Sequence, residues 1–308
     1  MTTHYLDDSV SQPFWDNSVE PRLVIDPGDT VVFDCLEASG QYTAKSTLHD
    51  YLNADRSMVH ALNGSVYING AKPGDALEIE ILDMQHKGWG WSAFRPGFGL
   101  LAEDFDTPCF HIWTLDGNEC HFGVEDIVLP FEPMPGCVGV APREPGRLDT
   151  IPPRENAGNV DVRDLTTGTV FWLPVLVEGA LFSTGDCHAN QGQGEVSGTG
   201  IESPMTVTLR FNIVKNSPVK QLQYRRQSPM TETDTGGHFG TTAYGPDLFI
   251  NSQNAIRQMI DWMVAEHGLT RSQAYILCGA IVDLKISEIV DVPNFIVTAQ
   301  VPLSIFRS

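Results

Sequence analysis

The sequence predicts a mainly β protein: a sandwich- or barrel-like N-terminal part followed by a C-terminal α+β portion. Three observations predict it. Two Pro-Gly-Asp turns, at Pro27-Gly28-Asp29 and Pro73-Gly74-Asp75, each launch an apolar run of strand character, Thr30-Val31-Val32-Phe33 and residues 76–82. Residues 205–211 alternate apolar and polar with period two, as a half-buried strand does. Beyond Phe211 the period changes, and Phe249, Ile256, Ile260, Met263 and Val264 recur at helical spacing. The boundary is expected near residue 215, with 1–215 as the β-rich domain carrying the site and 216–308 as the α+β portion.

The elements follow in order. Residues 23–33 form the first strand region. His60 lies between the two strand regions, where a lone His is ordinarily a hydrogen-bonded loop residue; His49, His86, His111 and His121 read as structural or solvated. Trp89, Trp91, Phe94 and Phe98 stand among glycines in a stretch that reads as an ordered loop over a pocket. Residues 130–153 are rich in Pro and Gly, and Pro142-Arg143-Glu144-Pro145-Gly146 excludes regular structure, so a long surface loop is expected there. It leads into Asn159 and Asp161. Residues 171–182 read as one apolar strand. Residues 217–244 are polar and include Thr235-Gly236-Gly237-His238-Phe239-Gly240. A helix is expected from Leu248 to His267, stopped by Gly268, and a second from Arg271 to about residue 284 with Thr270 as its N-cap. Residues 295–301 alternate and close the chain as a strand.

A chain of 308 residues with 42% hydrophobic content supports a sizeable core. Its net charge of −20 argues against nucleic acid or an anionic membrane as partner, since both recruit basic surfaces. No run approaches the roughly 20 apolar residues of a membrane span, and the acidic N-terminus lacks the pattern of a signal peptide. Six scattered cysteines without a paired spacing read as reduced thiols. A cytoplasmic location is expected.

Polar chemistry concentrates in residues 185–202, from Gly185-Asp186-Cys187-His188 to Glu202, read as a loop held between two strands. Asp186 and His188 are two apart, so on extended backbone they point the same way and could hold a divalent metal. Glu195 lies beyond two glycines, and Glu202 could return to the same place. Spacing alone is equally served by a polar hairpin with an Asx-turn at Asp186 and a solvated His188.

The stretch Gly185-Asp186-Cys187-His188-Ala189-Asn190-Gln191-Gly192-Gln193-Gly194-Glu195, continuing to Glu202, resembles the signature of the acetamidase/formamidase family. The resemblance extends to Val59-His60-Ala61-Leu62-Asn63-Gly64 with Ala71-Lys72-Pro73-Gly74-Asp75, to Gly88-Trp89-Gly90-Trp91, to Pro96-Gly97-Phe98-Gly99-Leu100-Leu101, to Gly158-Asn159-Val160-Asp161-Val162, and to the segment from Ala274-Tyr275 to Asp291-Val292-Pro293-Asn294. These blocks stand in the family's order over nearly the whole chain. Two positions depart from it: Gln193 replaces a usual Asp, and Ser65 a usual Pro.

The resemblance implies a hydrolase cleaving the C–N bond of small linear amides of the formamide or acetamide type, and a homo-oligomer. It raises His60 and Asp161 to candidate ligands and makes Asn159 a support or substrate contact. The sequence offers no Gly-x-Ser-x-Gly elbow, and Cys187 lacks a nucleophile's context, so water activated by a divalent metal is the expected chemistry. The expected ligands are Asp186, His188, Asp161, Glu202 and His60, with zinc favoured by histidine and calcium the alternative suited to carboxylates. Glu195 is expected as the general base, Gln191 as a holder of the substrate amide, and Gln193 as a substrate contact. The departure at Gln193 also keeps open an alternative: a catalytically impaired family member that binds a small ligand or serves as an assembly subunit.

Overall fold

The computed structural model describes residues 1–226, 237–289 and 293–307. Among these, the strands form four sheets. A six-stranded sheet runs in the order Thr3–Leu6, Thr30–Cys35, Met205–Val214, Ala76–His86, Thr169–Pro174, Gln223–Arg226. Its first pair is parallel and the rest are antiparallel. A five-stranded sheet runs Ala157–Asn159, Met134–Gly139, Phe182–His188, Asn63–Ile68, Leu23–Ile25. The two sheets bury their inner faces together. Phe33 and Phe211 from the first meet Phe182 from the second, with ring centroids 6.1 and 5.1 Å apart, and all three are fully buried. Rings at these separations and steep angles gain from their quadrupoles as well as from area removed from water.

The third sheet, of Trp89–Phe94, Cys109–Asp116, Glu119–His121 and Val128–Pro130, is a meander whose first strand bridges to Glu202. The fourth, His238–Gly245, Phe295–Pro302 and Asp283–Glu288, carries the C-terminal helices. The helix Leu248–His267 starts under an Asp247 cap that accepts from Phe249 N and Ile250 N. It stops at Gly268, whose φ of 63° suits a residue without Cβ. The second helix, Arg271–Ile281, opens with a capping box between Thr270 and Gln273. It is buried along almost its whole length and backs the loop after His188: Gly192 N donates to Gly279 O at 2.9 Å, and Leu284 N to Gln193 O at 2.9 Å.

The structure corrects four expectations. Trp89–Phe94, read as part of an ordered loop, is a strand. The apolar run 171–182 is two strands, Thr169–Pro174 and Phe182–His188, belonging to different sheets. The apolar residues on both sides mask two turn signals, Pro174 and Glu178-Gly179, and Gly179, with φ 73°, is where the chain reverses. Asp186 and His188 therefore lie on the end of a strand, and the loop begins after them. Residues 130–153 are not all surface loop, because Met134–Gly139 is a fully buried central strand. Its Pro and Gly read as loop chemistry, yet Gly136 is required by crowding: a Cβ there would stand 2.6 Å from both Asp161 Oδ1 and Asp186 O. The second helix ends at Ile281 instead of near 284, since Asp283 pairs into the C-terminal sheet opposite Gln300. Finally, a short helix, Leu48–Asn53, went unforeseen in a polar segment. Thr235, Gly236, Asp291 and Val292 lie outside the described residues.

Candidate active site

The site sits where the five-stranded sheet ends. Strand Phe182–His188 pairs with Met134–Gly139 so that Met134 faces His188 and Cys137 faces Gly185, while Cys137 on its other side faces Asn159. This register puts Asp186, His188, Asn159 and, two residues on, Asp161 at one edge. The chain then makes a closed excursion. Ala189 N donates to Ile201 O at 2.8 Å, Ile201 N to Asn190 O at 2.9 Å and Ser203 N to Cys187 O at 2.8 Å, which lays Glu202 directly against His188. Trp91 pins Glu202 from the far side through a pair of backbone hydrogen bonds, both 2.8 Å. His60 arrives from another direction, after the Arg56–Met58 turn, held by Thr150 Oγ1 donating to Val59 O at 2.9 Å.

These side chains converge. His60 Nε2 is 3.7 Å from Asp186 Oδ2, and His188 Nε2 is 3.8 Å from Asp186 Oδ1 and 3.0 Å from Glu202 Oε2. Ligand-type atoms of Asp161, Asp186 and His188 lie within 4.8 Å of one another, as do those of His188, Glu195 and Glu202, and those of His60, Cys137 and Asp186. Two buried atoms here, His60 Nδ1 and Asp161 Oδ1, have no hydrogen-bond partner, and His188 Nε2 and Glu202 Oε2 face each other without good hydrogen-bond geometry. Buried polar atoms are normally satisfied, and unmet ones gathered in one place call for a missing partner. A cation with bonds of about 2.0–2.2 Å would set its ligands about 3.3–3.6 Å apart. The observed separations bracket that range, so the residues fit a divalent ion.

The backbone is held unusually here. Asp161, Asp186 and Glu195 all have positive φ, of 44°, 54° and 44°. Non-glycine residues rarely adopt this region, and such strain clusters at functional sites.

Electrostatics set the carboxyls apart. Burial, aided by neighbouring carboxylates and opposed by the His188 charge, pushes Asp161 up to about 7 and Glu202 up to about 8. The same burial, with the Asp161 charge beside it, pushes Glu195 well above the carboxylate range. Asp186 moves the other way: burial opposes its ionisation, but His60 and His188 together hold it below its ordinary value. Burial would lower His188, yet Glu202 and Asp186 hold it well above the ordinary imidazole value. The centre thus gathers protons that a cation would displace.

A cavity of about 210 Å³ opens onto this centre, lined at its floor by His60, Asn159, Asp161, Asp186, Glu195 and Glu202. His188 lies behind the floor. Gln191 does not line the cavity, and both ends of its amide are engaged: Oε1 accepts from His188 Nδ1 at 2.7 Å, and Nε2 donates to Asp161 O at 2.8 Å. It orients His188 instead of reaching substrate. Asn159 lines the cavity while its amide donates to Ile151 O at 3.1 Å and accepts from Cys137 Sγ at 3.3 Å. Gln193 is turned away from the cavity. Its backbone N donates to Asp283 Oδ1 at 2.9 Å and its side chain to Asp164 Oδ2 at 3.4 Å. Gln193, expected as a substrate contact, thus stands outside the lining of the cavity: strand alternation ends at His188, and spacing could not tell which way the loop turns. Cys187 is fully buried, and its contact with Cys35 together with burial pushes the thiol well above its ordinary value. It is no thiolate.

Sequence reasoning missed Cys137, buried 3.7 Å from Asp186 Oδ2, and the outer lining of the cavity, Tyr42, Tyr51, Arg56 and Arg95. Nothing in their local patterns marks them, because they reach the site only through the fold.

A β-rich scaffold with a buried centre of two imidazoles and several carboxylates, open to one small cavity, defines the class of protein by its architecture. Within it, the chain belongs to the acetamidase/formamidase family, whose model matches residues 4–147 and 145–308. It is similar to the formamidase of Methylophilus methylotrophus, at 26% identity over 95% of this chain and 88% of that protein. Among solved structures it is similar to a γ-lactamase from Delftia acidovorans, with TM-score 0.91, 25% identity and coverage of 100% of this chain and 94% of the other. It is also similar to an acetamidase from Bacillus halodurans, with TM-score 0.67, 31% identity and 98% of each chain covered.

Proposed function

We propose that this protein hydrolyses the C–N bond of small amides to carboxylate and ammonia with the help of a divalent cation. One observation carries the reading: His60, Asp161, Asp186, Glu202 and a proton-holding carboxyl, Glu195, line one cavity, with His188 directly behind them, in a chain of the acetamidase/formamidase family. His60, Asp161, Asp186, His188 and Glu202 would hold the ion, zinc suiting the imidazoles and calcium the carboxylates. Such an ion supplies an acidified water, with pKa near ~7. The chain's own residues do the rest. With its own proton displaced by a cation, Glu195 would be ionised and could take the proton of the attacking water and return it to the departing nitrogen, a shuttle suited to a carboxyl held above its ordinary range. Gln191 keeps the His188 ring in place, and Asp186, ionised beside two imidazoles, anchors the positive charge.

The alternative of an impaired family member rests on Gln193, and the placement of that residue outside the cavity removes its support. A cyclic amide deserves a parallel assay, because the closer structural likeness is to a γ-lactamase. No described helix is long and apolar enough to cross a membrane; a cytoplasmic homo-oligomer completes the proposal. The test is ammonia release from formamide and acetamide, and ring opening of a γ-lactam, before chelation, after chelation and after reloading with zinc or calcium. Activity that chelation abolishes and metal restores supports the reading. Full activity in metal-stripped protein overturns the role of the ion, and no turnover of any amide overturns the hydrolase.

A further inference from the structure

The outer half of the cavity is built for more than formamide or acetamide. Beyond the acidic floor it is walled by Tyr42, Tyr51, Trp91 and Phe98. Three of these rings pack together: Tyr42 stands edge-on to Trp91 at 5.0 Å, and Phe110 stacks against both Trp91 and Tyr51 at 5.6 and 5.5 Å, while Phe98 is exposed at the rim. A cavity of roughly 150 Å³ accommodates benzene. This one, at about 210 Å³, has room for a ring or a short carbon chain beyond an amide at its floor.

Two arginines complete the wall. The Arg56 guanidinium lies 4.6 Å over the Tyr51 ring and donates to Tyr51 O at 3.0 Å. The Arg95 guanidinium lies 5.7 Å over the Phe98 ring. Both line the cavity, and both exert their charge on Tyr42 between them. Neither forms an ion pair with a carboxylate among the described residues, in a chain with 39 acidic and 19 basic side chains. The acid behind the wall, Glu37, is 2% exposed and committed to Trp91 Nε1 at 2.8 Å and to the backbone N–H groups of Gln41 and Tyr42 at 2.7 and 3.0 Å. A guanidinium stacked on an aromatic face keeps its N–H edge available for a planar anion.

Resting on the amide-hydrolysis reading above, the geometry points to a substrate that is an amide acid: a primary amide whose acyl group crosses the aromatic wall and ends in a carboxylate read by Arg56 and Arg95. The amide enters toward Glu195 and the ligand cluster, and the acyl body lies against Trp91 and Tyr42.

The experiment compares succinamate, glutaramate and 4-carbamoylbenzoate with propionamide and benzamide on the metal-loaded protein, reading ammonia. At least one amide acid is expected to exceed its neutral counterpart in kcat/KM by 10-fold or more. Arg56→Gln and Arg95→Gln should each lower that ratio about 10-fold, as loss of a charged hydrogen bond does. Arg147→Gln, an arginine stacked on Phe14 away from this cavity, should leave the ratio as in the parent. Neutral amides turned over as well as every amide acid, or a ratio that neither cavity variant moves, would overturn the assignment while leaving the hydrolase intact. If no amide is turned over, quenching of tryptophan fluorescence by 4-carbamoylbenzoate decides it. Binding weakened in both cavity variants sustains the anion subsite without the reaction, and no binding removes it.

Discussion

Gln191→Met separates orientation of the ligand cluster from contact with substrate. Gln191 Nε2 donates to the Asp161 carbonyl, which can only accept, so the amide oxygen must face His188 Nδ1. That nitrogen therefore carries hydrogen, and it is the neutral ring, once its second proton is displaced, that presents a lone pair on Nε2, 3.0 Å from Glu202 Oε2. Methionine matches glutamine in length, though it lacks the fork of the amide, and keeps neither hydrogen bond. The variant leaves one buried donor and one buried acceptor unmet, at roughly 1–3 kcal/mol for an unsatisfied group. Removing the partner that fixes a metal-ligating His weakens metal affinity about 10–100-fold. The assay is competition for zinc against a chromophoric chelator, with thermal unfolding of the metal-free variant alongside. A Tm lower by a few degrees and an affinity reduced in that range are expected. Parental zinc affinity in Gln191→Met would show that His188 needs no such support, and the tautomer argument would fall with it.

Other outcomes follow from the same geometry. Glu195→Gln should retain the ion and lose kcat by about 10²–10⁴, the usual worth of a positioned acid–base group; equilibrium dialysis and ammonia release measure the two separately, and parental turnover would remove Glu195 from the proton path. Gly136→Ala places a methyl 2.6 Å from Asp161 Oδ1 and from the Asp186 backbone O and 2.9 Å from Asp186 Oδ2, so it should lower Tm and, in the protein that folds, metal affinity as well; parental affinity in the folded variant would mean the cluster tolerates spreading. The metal-free protein should lose stability as pH rises. Asp161 and Glu202 hold protons in the fold up to about 7 and 8, against 3.8 and 4.5 ordinarily, so their contribution is fully present below the ordinary range and lost as pH passes through the raised values. Added zinc should then raise Tm more at pH 8 than at pH 5. A flat Tm of the metal-free protein between pH 5 and pH 8 would contradict the proton-holding cluster.

The β architecture was legible because its strands are amphipathic: Thr30–Cys35 and Met205–Val214 alternate inward and outward residue by residue. Helix Leu248–His267 was legible to its ends, since its stop is a local matter of one glycine. Strand Met134–Gly139 was not, because it is buried on both faces, with Gly136 answering crowding from Asp161 and Asp186 and Gly139 from Trp15 and Asn156. At the site, Asp186 and His188 could be paired from spacing, as they share a strand. That Gln191 faces inward and Gln193 outward depends on how the loop folds onto Gly279 and Asp283, some 90 residues away. Arg56, Arg95 and Tyr42 were beyond reach for the same reason: distant chain segments assemble that wall.

The left-handed backbone at Asp161, Asp186 and Glu195 has a further meaning for how the molecule tolerates change. Each such conformation costs of order 1–3 kcal/mol, and each is imposed on a residue that also buries a carboxyl. Replacement of Glu195 by glycine would relieve both burdens at once, so an inactive protein should melt at a higher temperature than the parent. Selection for thermal endurance alone would erode this centre first, and its persistence in any heat-selected lineage would itself report that the chemistry was in use.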